Sequence, residues 1–214
     1  MTLYDGDARV EVSGATTANW VAKSANLLVD GLGTPDSIGL LLPLHWQAVV
    51  LILAGAATST RVVLAAQPAD LAGCGAAFVH AEHAAAALDA GVDDVLTLSG
   101  HPLGLPAPGL PALVLDYARE VPSYADHFGG PRPSTTRIEV GGEPVVPLAG
   151  VPAAARVLTT LDPAQPGGAP VLLGTLAAGA SLVLLRSGDA ERVAAAEHVT
   201  ATAGIDVEGL TRLV

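Results

Sequence analysis

The longest apolar stretch of the chain, Ser37–Ala66 (SIGLLLPLHWQAVVLILAGAATSTRVVLAA), changes character twice along its length. Ser37–Leu42 is a short run without alternation, as expected of a strand buried on both faces. Pro43 turns the chain, and the apolar positions from about His45 to Ala56 then recur at helical spacing. After a short break at Ala54-Gly55, Arg61–Ala65 is Val- and Leu-rich and reads as a second buried strand. The same order returns at Ala169–Leu185 (APVLLGTLAAGASLVLL), with an apolar helix, an Ala-Gly break and a strand. Two such units predict an α/β protein, layered α/β/α, with largely parallel sheets and two pseudo-repeated half-domains.

Weaker patterns fill the rest of the chain. Leu3-Tyr4 and Arg9–Val12 flank Asp5-Gly6-Asp7, a hairpin signal. A helix containing Trp20, Val21 and Leu28, capped by Thr16 or Thr17, stops at Gly31 and Gly33. Brief elements follow: a helix at Pro68–Leu71, a strand at Ala76–Val79, an Ala-rich helix at His80–Ala90, and strands at Asp94–Leu98 and Leu113–Asp116. Residues 121–152 are crowded with Pro and Gly and read as mostly loop, with a hairpin around Gly141-Gly142. Arg156–Thr160 is a strand, Asp189–Thr202 a final helix, and Ile205–Leu213 a last strand or a frayed end. The resulting organisation is a first half-domain over 1–120, an irregular connection over 121–152 and a second half-domain over 153–214, forming one compact unit.

Composition narrows the function. The formal net charge is −11, with nine Arg and one Lys (Lys23), which argues against nucleic acid and against anionic membrane surfaces. No Asp, Glu, Lys or Arg lies between Asp36 and Arg61, a gap long enough to span a bilayer. Pro43 and His45 interrupt it, and no flanking Lys/Arg cluster orients it, so strand–helix–strand is the preferred reading. The acidic N-terminus lacks the order of a signal peptide, and the single cysteine, Cys74, excludes an internal disulfide, so a cytoplasmic protein is expected.

Candidate chemistry is sparse. His45-Trp46 falls where a strand ends and a helix begins, the edge at which open α/β sheets bind ligands; the alternative is a core Trp beside a capping His. Asp126-His127, Arg132 and Arg137 lie in the irregular block, where functional loops are expected. These six residues form the candidate ligand-binding set. His80 and His83 sit at i, i+3 near a helix start but lack an evident third ligand, so no metal site is assigned. Cys74 has no neighbouring base and reads as a buried thiol. Neither GxSxG nor GxGxxG occurs, and no catalytic residue is assigned.

The apolar units carry a resemblance. Leu42-Pro43, Trp46, Leu53-Ala54-Gly55-Ala56 and Val62-Val63-Leu64 fall in the order found in the early core of adenylate-forming (AMP-binding, acyl-CoA synthetase-like) enzymes. The hairpin and Trp20–Leu28 helix resemble that family's N-terminal segment, and Leu176–Leu184 its later unit. The resemblance implies the fold of the N-terminal part of an acyl-CoA synthetase, and a short actinobacterial protein of that type. The family's phosphate loop, ending in Pro-Lys-Gly, has no counterpart: Gly129–Thr136 has some ingredients in another order, and no Lys follows Lys23. The chain also ends before the family's adenine-binding motifs and C-terminal catalytic domain. A truncated, catalytically inactive relative is therefore expected, binding a small molecule or protein and needing no cofactor. The alternative is acyl-adenylate chemistry with ATP or AMP and Mg, completed by a partner chain. A homo-oligomer is a further expectation, because an apolar flank left by the missing portion would seek cover.

Overall fold

The computed structural model describes residues 1–130 and 137–214. Among these residues are thirteen strands, β1 (Thr2–Asp5), β2 (Ala8–Glu11), β3 (Ser37–Leu41), β4 (Arg61–Leu64), β5 (Ala76–His80), β6 (Asp94–Leu98), β7 (Val114–Asp116), β8 (Ile138–Val140), β9 (Glu143–Pro144), β10 (Arg156–Thr159), β11 (Ser181–Ser187), β12 (Ala201–Ala203) and β13 (Thr211–Arg212). Six α-helices accompany them: α1 (Gly14–Asn26), α2 (Trp46–Thr58), α3 (Ala84–Asp89), α4 (Tyr117–Glu120), α5 (Gly168–Ala177) and α6 (Ala190–Ala196). The strands form two sheets, ordered β13-β12-β10-β11-β1-β2 and β7-β6-β5-β3-β4-β8-β9. Only β1–β2 and β8–β9 pair antiparallel. The N-terminal hairpin thus joins the sheet built by residues 156–212, through parallel pairing of β1 with β11.

Both sheets face a middle layer of three helices. Leu51 and Ile52 of α2 pack on Ile38, Leu64 and Phe78 of one sheet. Val49 and Val50, on its other side, pack on Leu3, Leu182 and Leu184 of the second. A helix flanked by two sheets has no solvent face, which is why α2 shows no polar stripe. α1 and α5 share the layer: Ala25 of α1 and Leu27 and Leu28 of the π-helical turn that continues it (Leu27–Gly31) meet the first sheet, and Leu172 of α5 the second. α3 covers the outer face of one sheet, with Ala87 against Ala77, Val79 and Val95. α6 covers the other, with Val193 and Ala194 against Leu158 and Val183. Central strands such as β3 and β5 are clad on both faces and are accordingly almost wholly apolar, whereas edge strands such as β2 and β13 keep charged residues.

Several boundaries depart from the pattern. Ser13, rather than Thr16 or Thr17, caps α1, its Oγ accepting the Thr16 N–H at 3.0 Å. Gly55 is not a break: it lies inside α2, where a Cβ would stand 2.3 Å from Val62 Cγ2. It is there so that helix and sheet can approach, and α2 ends at Ser59, whose φ is 59°. Gly179, with φ 70°, does end its helix by adopting the left-handed conformation. The final helix is shorter than the expected Asp189–Thr202. His198 turns the chain at φ 51°, and Ala201–Ala203 instead pairs with β10. The largest apolar helix, α2, has 13 residues, and no helix among those described is long and apolar enough to cross a membrane.

Candidate functional site

The carboxyl ends of strands from both sheets open onto a common cleft of about 560 Å³. Leu41–Pro43 leads out of β3, Ala65-Ala66 out of β4, and His80 ends β5. Across from them stand the Asp162–Pro166 loop after β10 and Arg186 near the end of β11. Parallel strands that end together leave their following loops splayed around such a crevice.

The polar groups here are held by bonds to other parts of the chain. Asp162 Oδ1 accepts the Leu44 N–H at 2.6 Å and so ties the loop of one sheet to the entry of α2. Glu82 Oε1 lies 3.0 Å from His80 Nδ1 and 3.6 Å from His83 Nε2. The His80 contact is at ion-pair distance but is not aligned as a hydrogen bond. Arg186 Nη1 donates to the Gly100 carbonyl at 2.7 Å and lies 3.3 Å from Asp5 Oδ2.

The sequence-derived candidates do not assemble into one site. His45 is 3% exposed and caps α2 from beneath the cleft, its Nδ1 accepting the Gln47 N–H at 3.2 Å. Burial, aided by the nearby Arg186 charge, brings its ring down to about 4, so it is neutral at pH 7. Trp46 is a core residue: its Nε1 donates to the Pro102 carbonyl at 2.9 Å, and its ring meets Trp20 edge-on at 5.1 Å. Asp126 and His127 lie at the opposite, amino edge of the sheet containing β1 and β11. There they line a largely apolar cavity of about 710 Å³ with Ala18, Leu53, Phe128 and Leu182. Arg137 is exposed just before β8, and Arg132 lies outside the described residues. Among the described residues no three His, Cys, Asp or Glu side chains converge as a metal site. Cys74 is buried, and burial pushes its thiol up.

Arg186 and Asp162 escaped the sequence reading. Their signal was position: each is a charged residue at or just past the end of a buried strand, where a core side chain would otherwise continue.

No family model matches the chain. A "TIGR03089 family protein" of Mycobacterium tuberculosis is 37% identical over 216 residues, covering 94% of this chain and 89% of that protein. Among solved structures, an acyl-CoA synthetase of Brucella canis superposes with a TM-score of 0.76 at 17% identity, covering 95% of this chain and 44% of its own. An anthranilate CoA ligase, AuaEII, in complex with anthranoyl-AMP, gives 0.68 at 15% identity, with coverages of 94% and 46%. Apo MatB from Rhodopseudomonas palustris gives 0.67 at 15%, with 96% and 46%. The likeness to these structures is one of fold, and the chain spans less than half of their length.

Proposed function

Since the chain belongs to the TIGR03089 family and carries the fold of adenylate-forming enzymes, we propose that it is a small-molecule binding module without adenylate-forming activity. Its ligand occupies the cleft between the two sheets. The observation that carries this reading is the cleft itself. Strand ends from both sheets bring His80, Glu82, His83, Asp162 and Arg186 to its wall, an arrangement suited to orienting a polar ligand. The lack of adenylation rests on the sequence: a phosphate cradle needs glycine N–H groups and a cation, and the only lysine is committed elsewhere. Lys23 Nζ donates to the carbonyls of Pro122 and Tyr124, clamping α1 to the segment after α4.

Calorimetric titration with ATP and AMP in the presence of magnesium, paired with a pyrophosphate-release assay, tests both halves. The expected result is saturable binding of AMP or an acyl compound, weakened at least tenfold by Arg186→Ala, without pyrophosphate release. Pyrophosphate release on adding ATP and a carboxylic acid would overturn the reading in favour of adenylation, and release only with a second protein would point to a completing partner. Ligand binding that Arg186→Ala leaves unchanged would move the site away from the cleft.

A further inference from the structure

We propose that the cavity at the amino edge is a second binding site, which takes a small apolar molecule with an uncharged polar end. It is independent of any ligand in the cleft, which lies at the other end of the strands.

The cavity opens where the helices of the middle layer fail to close. α2 is flanked by two sheets, and from Trp46 to Ala57 every residue is buried except Leu53. Leu53 packs against the cores of both sheets yet remains partly open, and what it opens onto is this cavity. Val21 of α1 and Leu176 of α5 line it too and are partly open in the same way. The other wall residues from these elements are small: Ala18 and Ala22 on α1, Ala57 on α2, and Ala180 just before β11. Helices that meet through alanine leave a space that larger side chains would fill. The space reaches the core, because the fully buried Leu182 is part of its wall. It is therefore a pocket rather than a face, and its 710 Å³ falls in the range of small-molecule sites.

The remaining wall is an irregular segment that side chains of α1 hold in place. Lys23 Nζ donates to the carbonyls of Pro122 and Tyr124. Asn26 Nδ2 donates to those of Ala125 and His127, at 2.9 and 3.0 Å. The Tyr124 hydroxyl lies over Gly31, where there is no room for a Cβ. Beyond these anchors, the Phe128 ring packs against the core, and Gly130 lies so close to it that a Cβ would collide. An aromatic wall is thus fixed in advance of any ligand, which lowers the entropic cost of binding.

Exposed polar groups stand at the rim. Asn19 and His127 can exchange hydrogen bonds with a hydroxyl or amide. The Asp126 carboxylate beside them, in a chain of net charge −11, repels an anionic head group. The chemical class that fits is an uncharged amphiphile, such as a medium-chain alcohol or amide, and not a fatty carboxylate.

Fluorescence titration at pH 7 with N-phenyl-1-naphthylamine, an uncharged apolar probe, tests the site, followed by displacement with decanol and with decanoate. Saturable binding is expected, with decanol displacing the probe at least fivefold more tightly than decanoate. Ala18→Trp, at an exposed position of the wall, should weaken probe binding at least tenfold while circular dichroism stays unchanged. Phe128→Ala should weaken it at least threefold. Absence of saturable binding, or binding unmoved by both variants, would overturn the proposal. Equal displacement by decanoate would overturn the ligand class, because it requires a cation at the site. A crystal structure in which the chain itself or a second copy fills the cavity would also overturn it. AMP with magnesium should leave the probe in place; displacement by AMP would put the probe in the cleft and remove the second site.

Discussion

The two edges of the molecule use their polar residues in opposite ways. At the amino edge, charged groups hold chain segments to one another. Glu197 accepts from Arg9 Nε at 2.7 Å and from Tyr4 Oη at 2.7 Å and pairs with Arg156, which joins the N-terminal hairpin to β10 and the end of α6. Asn26 Nδ2 likewise holds the carbonyls of Ala125 and His127. The cavity beside them is correspondingly apolar. At the carboxyl edge, Asp162 and Arg186 also brace loops, yet they line an open polar cleft together with His80, Glu82 and His83. The cavity beside Asp126 and His127 is largely apolar and the carboxyl-edge cleft is polar, so the cleft is the better fit for a polar ligand.

Five variants would sharpen or break this contrast. The largest effect is expected at Glu197, where Glu197→Gln should cost on the order of 3 kcal/mol at pH 7. Burial pushes this carboxyl up, but the bonds from Arg9, Tyr4 and Arg156 outweigh it and bring it down to about 2. A depressed carboxylate contributes stability above its unfolded value of 4.5 and loses it as pH falls through the folded value. Urea denaturation of the wild type should therefore weaken between pH 4.5 and about 2, while the variant's curve stays flatter there; parallel curves would remove Glu197 from its structural role.

Next in size, Gly55→Val should destabilise by about 2–3 kcal/mol, since its side chain would be driven into Val62 and Ile38. Gly179→Ala, which strains only a positive φ, should cost about 1 kcal/mol. Equal costs in chemical denaturation would mean that the two glycines do the same work. Asp162→Ala removes the acceptor of the Leu44 N–H and should cost about 1–2 kcal/mol, with faster hydrogen exchange confined to the start of α2. Protection of that amide unchanged in the variant would count against the brace. Smallest of all, the double variant Asp126→Ala/His127→Ala should alter stability by no more than about 0.5 kcal/mol and leave ligand titrations intact. A loss of binding there would merge the two edges into one site.

The buried strands were readable because a parallel strand clad on both faces has no polar alternation to disguise it: β3, β4, β6 and β11 fall close to their expected positions. Repetition was a less reliable guide. The Ala-Gly pairs of the two apolar units look alike, yet Gly55 serves a close approach and Gly179 a turn. Backbone φ and interlayer distance, which separate those roles, leave no mark on the letters. The candidate site was less legible still. His45-Trp46 stood at a ligand-binding edge in the sequence, but Trp46 is the core residue of the alternative reading, its ring against Trp20, whereas Arg186 and Asp162 stood at strand ends with nothing in their immediate sequence to pair them.

By itself, the order of apolar and polar residues determined that this protein is a layered α/β molecule with mostly parallel strands, because burying the backbone of an apolar segment requires a strand or helix that satisfies its own hydrogen bonds. Which strands share a sheet was decided only in three dimensions. β1 finds β11 across about 180 residues, and Asp162 finds Leu44 across 118. The cleft exists only through those long-range pairings: it is formed where loops distant in sequence are brought to one edge, and local pattern carries no information about that meeting.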